Sequence, residues 1–465
     1  MLVYLICYGI SFLLARRHLY VPSGLLLIGA AVWLYMRDYL RTKNLIHLRG
    51  LFCLAFVGGQ GVSCFKLSRL QTDWQTETWV CFLLGTAAFW LAFEGMERRK
   101  AGGVRGSADE GEAAAPVEAK SGGKTPEQEY AGTVPKRPGA GGNYPRRLLI
   151  AMAGVTGLAW AAFLFEAFWL GFVPLFSYGV PHAYSYFHVT GVHYFTVSSV
   201  LVPSMAVVYG AMLRRRGGNL QKSRGFWAAV VLAALSLALP VLCVSRFQLI
   251  MAAGMALFTF ISINEAIRLR YVLLLAAFMI PAYLGLTVMR SHSVSYLNGI
   301  FEMKNSATPI FITQPYMYIA NNYDNFNCLV EGLEEYAWGR RMLFPLWAFT
   351  GLKFVAPFLV NFPLFVTKEE LTTVTLFYDA YYDFGLAGMI LFGAVLGVIC
   401  CFLVRRRERE HSMAEHLVYA QIAMYMALSF FTTWFSNPTT WFYLGMTGAV
   451  CWYVGRGGKY ARERK

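Results

Sequence analysis

The chain has 465 residues, of which 57% are hydrophobic and only 14% charged, and it carries a formal charge of +15. A soluble chain of this length holds about 25% charged residues, so the composition excludes an ordinary soluble globule and points to an integral membrane protein. The excess of Lys and Arg does not indicate nucleic acid as a partner: it collects in short segments beside apolar runs, where membrane topology and contact with anionic lipid require it.

Four apolar spans come first, near 2–15, 21–36, 45–65 and 78–95, and residues 1–96 read as an N-terminal block. The run from Met1 to Ala15 lacks a basic n-region and a small-residue cleavage site, so it is expected to stay as a short first span. From 97 to 147 the chain turns to Gly, Ala, Pro and charge with almost no large apolar residue, the composition of a disordered linker. A central block, 148–289, holds spans near 148–173, 190–213, 226–244, 247–263 and 271–289. Residues 290–383 form a large loop, and 384–465 add spans near 384–404, 416–434 and 440–455 and a basic tail. The fold class expected is all-α, with about twelve membrane spans.

Charge sets the orientation. The segments 214–224, 268–270, 405–410 and the C-terminal tail are basic and fall on one face if the spans alternate. That face is cytoplasmic by the positive-inside rule, which puts the linker inside and the large loop outside. Arg16 and Arg17 fall on the wrong side of this scheme. Residues 344–365 are apolar enough to cross, but Pro345, Pro357, Pro363 and Lys353 interrupt them; they read as helices lying in the outer interface.

The large loop holds nine of the chain's 26 acidic residues and most of the candidate chemistry. Arg246, in a corner between two spans, and Arg290, at the end of another, stand where an arginine needs a partner or snorkels to the surface. The functional reading is a clamp for phosphate or pyrophosphate, which the planar guanidinium fork suits. Arg340 and Arg341 project together after Gly339; they either pair with nearby Glu334 and Glu335 or join that clamp. Asn322, Tyr323 and Asn325 surround Asp324 with amides and aromatic faces that suit a sugar, as does Tyr378. The plainer reading of the Asn-rich stretch is a helix cap. Asp379 and Asp383 are four apart and share a helix face; they either cap the following span or serve as a general base. Asp324 and His292 are the other candidates to take a proton. Gly385, Gly388, Gly393 and Gly397 allow close helix packing in the span that follows. His182, His188 and His193 have spacings that match no zinc pattern and read as a substrate-lining loop. The nine cysteines contain no CxxC pair. No metal and no cofactor are expected.

Four stretches in this order, "SRFQLIMAAGMALFTFI", "MRSHS", "YDNFNCLVEGLEEYAWGRRMLFPL" and "TLFYDAYYDFGLAGMILFGAVLGVI", resemble those of the bacterial oligosaccharide repeat-unit polymerases, the Wzy-type O-antigen and capsule polymerases. The resemblance covers roughly residues 148–455, and the linker at 97–147 departs from it. It implies a GT-C-like membrane glycosyltransferase of the cytoplasmic membrane whose site faces outside. The implied substrate is an undecaprenyl-pyrophosphate-linked oligosaccharide, with a flippase and a chain-length regulator as partners. Arg246, Arg290, Arg340 and Arg341 would then hold the pyrophosphate, and Asp379, Asp383, Asp324 or His292 would take the acceptor's proton. The rivals are an O-antigen ligase-like transferase and, in another class, a polysaccharide or lipid exporter; a transporter should show repeated halves and mid-span charges, which the chain lacks.

Overall fold

The computed structural model describes residues 1–106, 143–177, 183–264, 277, 281, 294–305, 307–408 and 412–462. Most of the expected linker and of the expected span at 271–289, together with His182, Arg290 and His292, lies outside the described residues.

Among the described residues the chain is all-helical, without a strand; Ser68 and Met303 form an isolated antiparallel bridge. The principal helices are α1 (Leu2–Arg16), α2 (Tyr20–Thr42), α3 (Leu48–Ser63), α4 (Thr76–Gly106), α5 (Tyr144–Leu170), α6 (His193–Arg215), α7 (Arg224–Leu242), α8 (Arg246–Asn264), α9 (Val294–Phe301), α10 (Ile310–Gly332), α11 (Tyr378–Glu408), α12 (Glu415–Ala427) and α13 (Pro438–Arg462). Seven of these, α2, α4, α5, α6, α7, α8 and α11, are long and apolar enough to cross a membrane, and α1 and α3 are shorter apolar helices. The protein is therefore a membrane protein on the strength of its helices. Their outward faces are apolar too: Trp227, Val231 and Leu235 of α7 are exposed, as side chains toward lipid would be.

Local breaks follow from sequence. In α6 a 3-10 turn at Ser198–Leu201 precedes Pro203, which has no N–H to donate back to the preceding turn. A tight turn joins α7 to α8, with Val244 in the left-handed region at φ 52°. Residues 344–365 form only short pieces, Phe344–Phe349, Leu352–Val355 and a 3-10 turn at Pro357–Leu359, because Gly351 at φ 75° and the prolines end each one. Phe354, Val355 and Phe358 of this segment are exposed.

The closest packing joins α4 to α11. The two run parallel, with Gly85 opposite Gly393, Phe89 opposite Gly397, and the Arg405 guanidinium on the Met96 carbonyl. A Cβ on Gly393 would lie 2.6 Å from the Gly85 carbonyl oxygen, and one on Gly397 would collide with that of Phe89. Small residues let the backbones approach and replace side-chain packing with broad van der Waals contact. These two glycines do what the sequence implied. Gly385 does something else: with Phe384 it breaks α11, at φ 59° and ψ −146°, a conformation open essentially to glycine alone.

Helix α11 fixes the two ends of the bundle. Asp379 stands just ahead of the break and Arg406 near the finish, and the unbroken part between, from Leu386 to Arg406, rises roughly 30 Å. Helix α10, within the expected external loop, is a 23-residue helix that inserts beside α3 and the start of α4 at the Asp379 end.

Candidate functional site

The site is built by the break in α11. The short helical piece ahead of it, residues 378–383, aims two carboxylates at one neighbour. Asp379 Oδ1 accepts from Arg341 Nε at 2.6 Å. Asp383 accepts from the backbone N–H of Arg341 at 3.1 Å and of Met342 at 2.7 Å. The i, i+4 spacing thus puts both acids on one face, with different duties: Asp383, fully buried, holds the turn, and Asp379 holds the guanidinium. The turn itself is shaped by Trp338 at φ 53° and Gly339 at φ 88°, and by Ala337 and Trp338 N–H donating to the carbonyls of Tyr382 and Asp383.

Arg341 lies 4.6 Å from the Tyr382 ring centroid, and Arg340 lies 4.7 Å from that of Phe362. Such cation–π contacts add on the order of 1 kcal/mol each and fix the guanidinium planes. Burial by itself would lower the pKa of Arg341; the charge and hydrogen bond of Asp379 outweigh it, and the pKa is raised. Arg340 donates from Nε to the Ala337 carbonyl at 2.9 Å and from Nη1 to the Phe358 carbonyl at 3.4 Å, rather than to Glu334 or Glu335.

Arg340, Arg341 and Asp379 line a cavity of about 330 Å³. Its apolar wall comes from Phe344, Leu359 and Phe362, and its far side from Thr433, Ser436 and Asn437, just ahead of α13. Two guanidinium groups and one carboxylate leave the cavity with a net positive charge. An anion such as a phosphate is the ligand that this charge and the fork geometry of arginine suit. Sequence reasoning missed Thr433, Ser436 and Asn437. The signal was the polar, proline-containing "TTWFSNPTT" inside an apolar C-terminal block.

The other candidates stand elsewhere. Arg246 is buried at the α7–α8 corner and does not line the cavity. Its neighbour Phe247 stacks on Phe431 at 5.2 Å and on Trp434 at 6.1 Å, so the corner supports the segment that does. Asp324 is 1% exposed and surrounded by donors: Lys66 Nζ and Trp74 Nε1 at 2.8 Å, Gln71 Nε2 at 2.7 Å and Ser63 Oγ at 3.1 Å. This is a carboxylate that ties α10 to the N-terminal block, with no face left toward the cavity.

The four residues expected as sugar contacts are buried and bond the protein's own backbone. Asn322 donates to the carbonyls of Tyr318 at 2.7 Å and Phe430 at 2.8 Å and accepts from Thr373 Oγ1 at 2.6 Å. Asn325 donates to the carbonyls of Leu371 at 2.6 Å and Thr373 at 2.8 Å and accepts from the Thr367 N–H at 2.8 Å. Tyr323 donates to the Phe56 carbonyl at 2.6 Å, and Tyr378 bonds the backbone of Phe365. All four are buried, and their polar atoms bond backbone of the 365–373 strap, of α3, and of Tyr318 and Phe430. Nor is the Asn-rich stretch a helix cap: it lies within α10. His193 lies 3.1 Å from the buried carboxylate of Glu166, and its ring centroid is 4.8 Å from that of His188.

Comparison of the chain with protein-family models, with curated proteins and with solved structures finds no match.

Proposed function

We propose that the protein is a membrane glycosyltransferase that polymerises undecaprenyl-pyrophosphate-linked oligosaccharide repeat units at the outer face of the cytoplasmic membrane. In this reading the chain crosses about twelve times, its basic segments lie inside, and residues 290–383 form the external cap. The interrupted apolar helices at 344–365 lie in the outer interface.

One observation carries the proposal. Arg340, Arg341 and Asp379 share a cavity at the end of α11 opposite the Arg405–Arg407 run, the end that charge orientation assigns to the outside. The chemistry follows from the pairing. When a pyrophosphate oxygen takes over the Arg341 guanidinium, the Asp379 carboxylate is released from its ion pair and is free to accept another hydrogen bond. It then accepts the proton of the acceptor hydroxyl as that oxygen attacks the anomeric carbon. Lipid pyrophosphate departs, and Arg340 and Arg341 stabilise its charge at a site with little water. A flippase would supply the substrate, and a chain-length regulator would act on the product.

The test uses purified full-length protein and a lipid-linked repeat unit alone. A polymerase makes a ladder of products. A ligase-like transferase makes product only once a second acceptor is added, and an exporter makes none under either condition.

A further inference from the structure

The chain enters α13 through a single 3-10 turn, Trp434–Ser436, in which the Ser436 N–H donates to the Thr433 carbonyl at 3.1 Å. Residues three apart eclipse in such a turn, so Thr433 and Ser436 come to one side of it. The turn is clamped: Trp434 donates to the Leu428 carbonyl at 2.9 Å and stacks on Tyr425 at 4.7 Å. Asn437 follows as the cap of α13. Its Oδ1 accepts from the Thr439 N–H at 2.9 Å, and its carbonyl accepts from the Thr440 N–H at 3.1 Å. Pro438 has no N–H, so the first N–H groups of α13 are missing or already used, and the helix start does not offer them to an anion.

What remains open is neutral. Thr433, Ser436 and Asn437 share their cavity with Arg340, Arg341 and Asp379. Among the described residues, the Thr433 and Ser436 hydroxyls and the Asn437 Nδ2 group have no hydrogen-bond partner. Ser436 is only 7% exposed. A hydroxyl at that depth requires a partner, and the cavity is the place left for one. The cavity thus combines two chemistries, guanidinium groups and three neutral polar groups, with an apolar wall that includes Phe344 and Leu359. The first suits phosphate. Neutral donors and acceptors beside an aromatic ring suit the hydroxyls and the CH face of a sugar.

We propose that Thr433, Ser436 and Asn437 bind the hydroxyls of the sugar attached to the pyrophosphate and so select the donor sugar. This inference rests on the glycosyltransferase reading of the site. At about 330 Å³ the cavity lies at the small end of ligand sites, which span about 300–1,000 Å³. It takes one sugar with its phosphates and leaves the rest of the repeat unit unread.

The experiment measures kcat/KM for ladder synthesis by purified full-length wild type, Thr433→Val, Ser436→Ala and Asn437→Ser, the last of which keeps a capping oxygen and loses the amide N–H groups. The substrates are a lipid-linked repeat unit, a set of analogues each lacking one hydroxyl of the sugar next to the pyrophosphate, and one analogue lacking a hydroxyl on a more distant sugar. Each variant should lose about three- to tenfold on the complete substrate, the scale of one neutral hydrogen bond. It should lose nothing further on the one analogue that lacks its partner hydroxyl, and the full factor on the analogue altered at the distant sugar. Ser436→Ala should melt with the wild type, since its hydroxyl bonds nothing among the described residues. Wild-type kinetics in all three folded variants, or the same loss with every analogue, would overturn this inference and leave the glycosyltransferase reading intact, because the wild type still makes a ladder. Failure of Ser436→Ala to fold would show a structural hydroxyl and overturn it too. No ladder from folded wild type would overturn the glycosyltransferase reading and this inference with it.

Discussion

Asp324→Ala separates a structural carboxylate from a catalytic one. Asp324 and Lys66 are both almost fully buried, 2.8 Å apart, and Lys66 also lies 4.6 Å from the Trp74 ring centroid. Removing the carboxylate leaves a buried ammonium without its counter-charge, which costs about 3–5 kcal/mol. It also strips an acceptor from Trp74 Nε1 and Gln71 Nε2, at about 1–3 kcal/mol for each donor left unsatisfied. Lys66→Met alone exposes the converse charge. Replacing both removes the uncompensated charge, so Asp324→Ala with Lys66→Met should be less destabilised than the sum of the two single changes by about 2 kcal/mol or more. The assay is the unfolding free energy of the purified protein in detergent, read as a double-mutant cycle. Additivity within about 0.5 kcal/mol would refute the account of the pair. A second readout addresses function: Asp324→Asn keeps the shape of the side chain, so polymer formed per folded molecule should match the wild type. A folded but inactive Asp324→Asn protein would return Asp324 to the list of proton acceptors.

Three further outcomes follow from the packing. Gly397→Ala should destabilise the protein by about 1–3 kcal/mol, because the new methyl meets the Phe89 carbonyl and drives α4 from α11; wild-type thermal stability would contradict the close approach. Gly385→Ala should lower activity more than folded yield, since its φ of 59° shapes the break that aims Asp379. Combining it with Tyr336→Phe, which removes the hydroxyl oxygen 2.6 Å from the new Cβ, should not restore activity, because the backbone strain persists. At the Arg406 end, Arg49 donates to Asp38 at 2.6 and 2.7 Å beneath Trp90 and Phe93. Arg49→Met should therefore reduce folded yield sharply, and adding Asp38→Leu should recover part of it.

Apolar runs of the required length were legible in the sequence, because hydropathy alone places a helix that must hide its backbone from lipid. Arg340, Arg341 and Asp379 were legible as candidates through residue type and the i, i+4 spacing of the acids. What the sequence did not reveal is what the Asn-rich stretch bonds to within the fold. An amide beside an aromatic ring looks the same whether it meets a sugar or a buried peptide group. Apart from contacts one turn away within α10, the partners of Asn322 and Asn325 lie more than forty residues on, in the strap at 367–373 and at Phe430, where no local pattern reveals them. A still longer separation, 250 residues or more, hid Lys66, Gln71 and Trp74, which enclose Asp324 from the N-terminal block. The resemblance, resting on residues 148–455, gave that block no part in the site; the structure ties it to α10 through Asp324 and to α11 through the Gly85–Gly393 contact.

The central claim is that Arg341 and Asp379 form a pyrophosphate-and-base pair. The direct measurement is ladder synthesis from a lipid-linked repeat unit by purified wild type, Arg340→Gln, Arg341→Lys and Asp379→Asn, each normalised to folded protein. The account predicts a ladder from wild type and a loss of at least about a hundredfold, the scale of a general base, for Asp379→Asn. Arg341→Lys should also fall steeply, since an ammonium lacks the fork that spans two oxygens, and Arg340→Gln should fall less. No ladder from folded wild type would contradict the function. A wild-type ladder from folded Asp379→Asn and Arg341→Lys would leave the function standing and contradict the site.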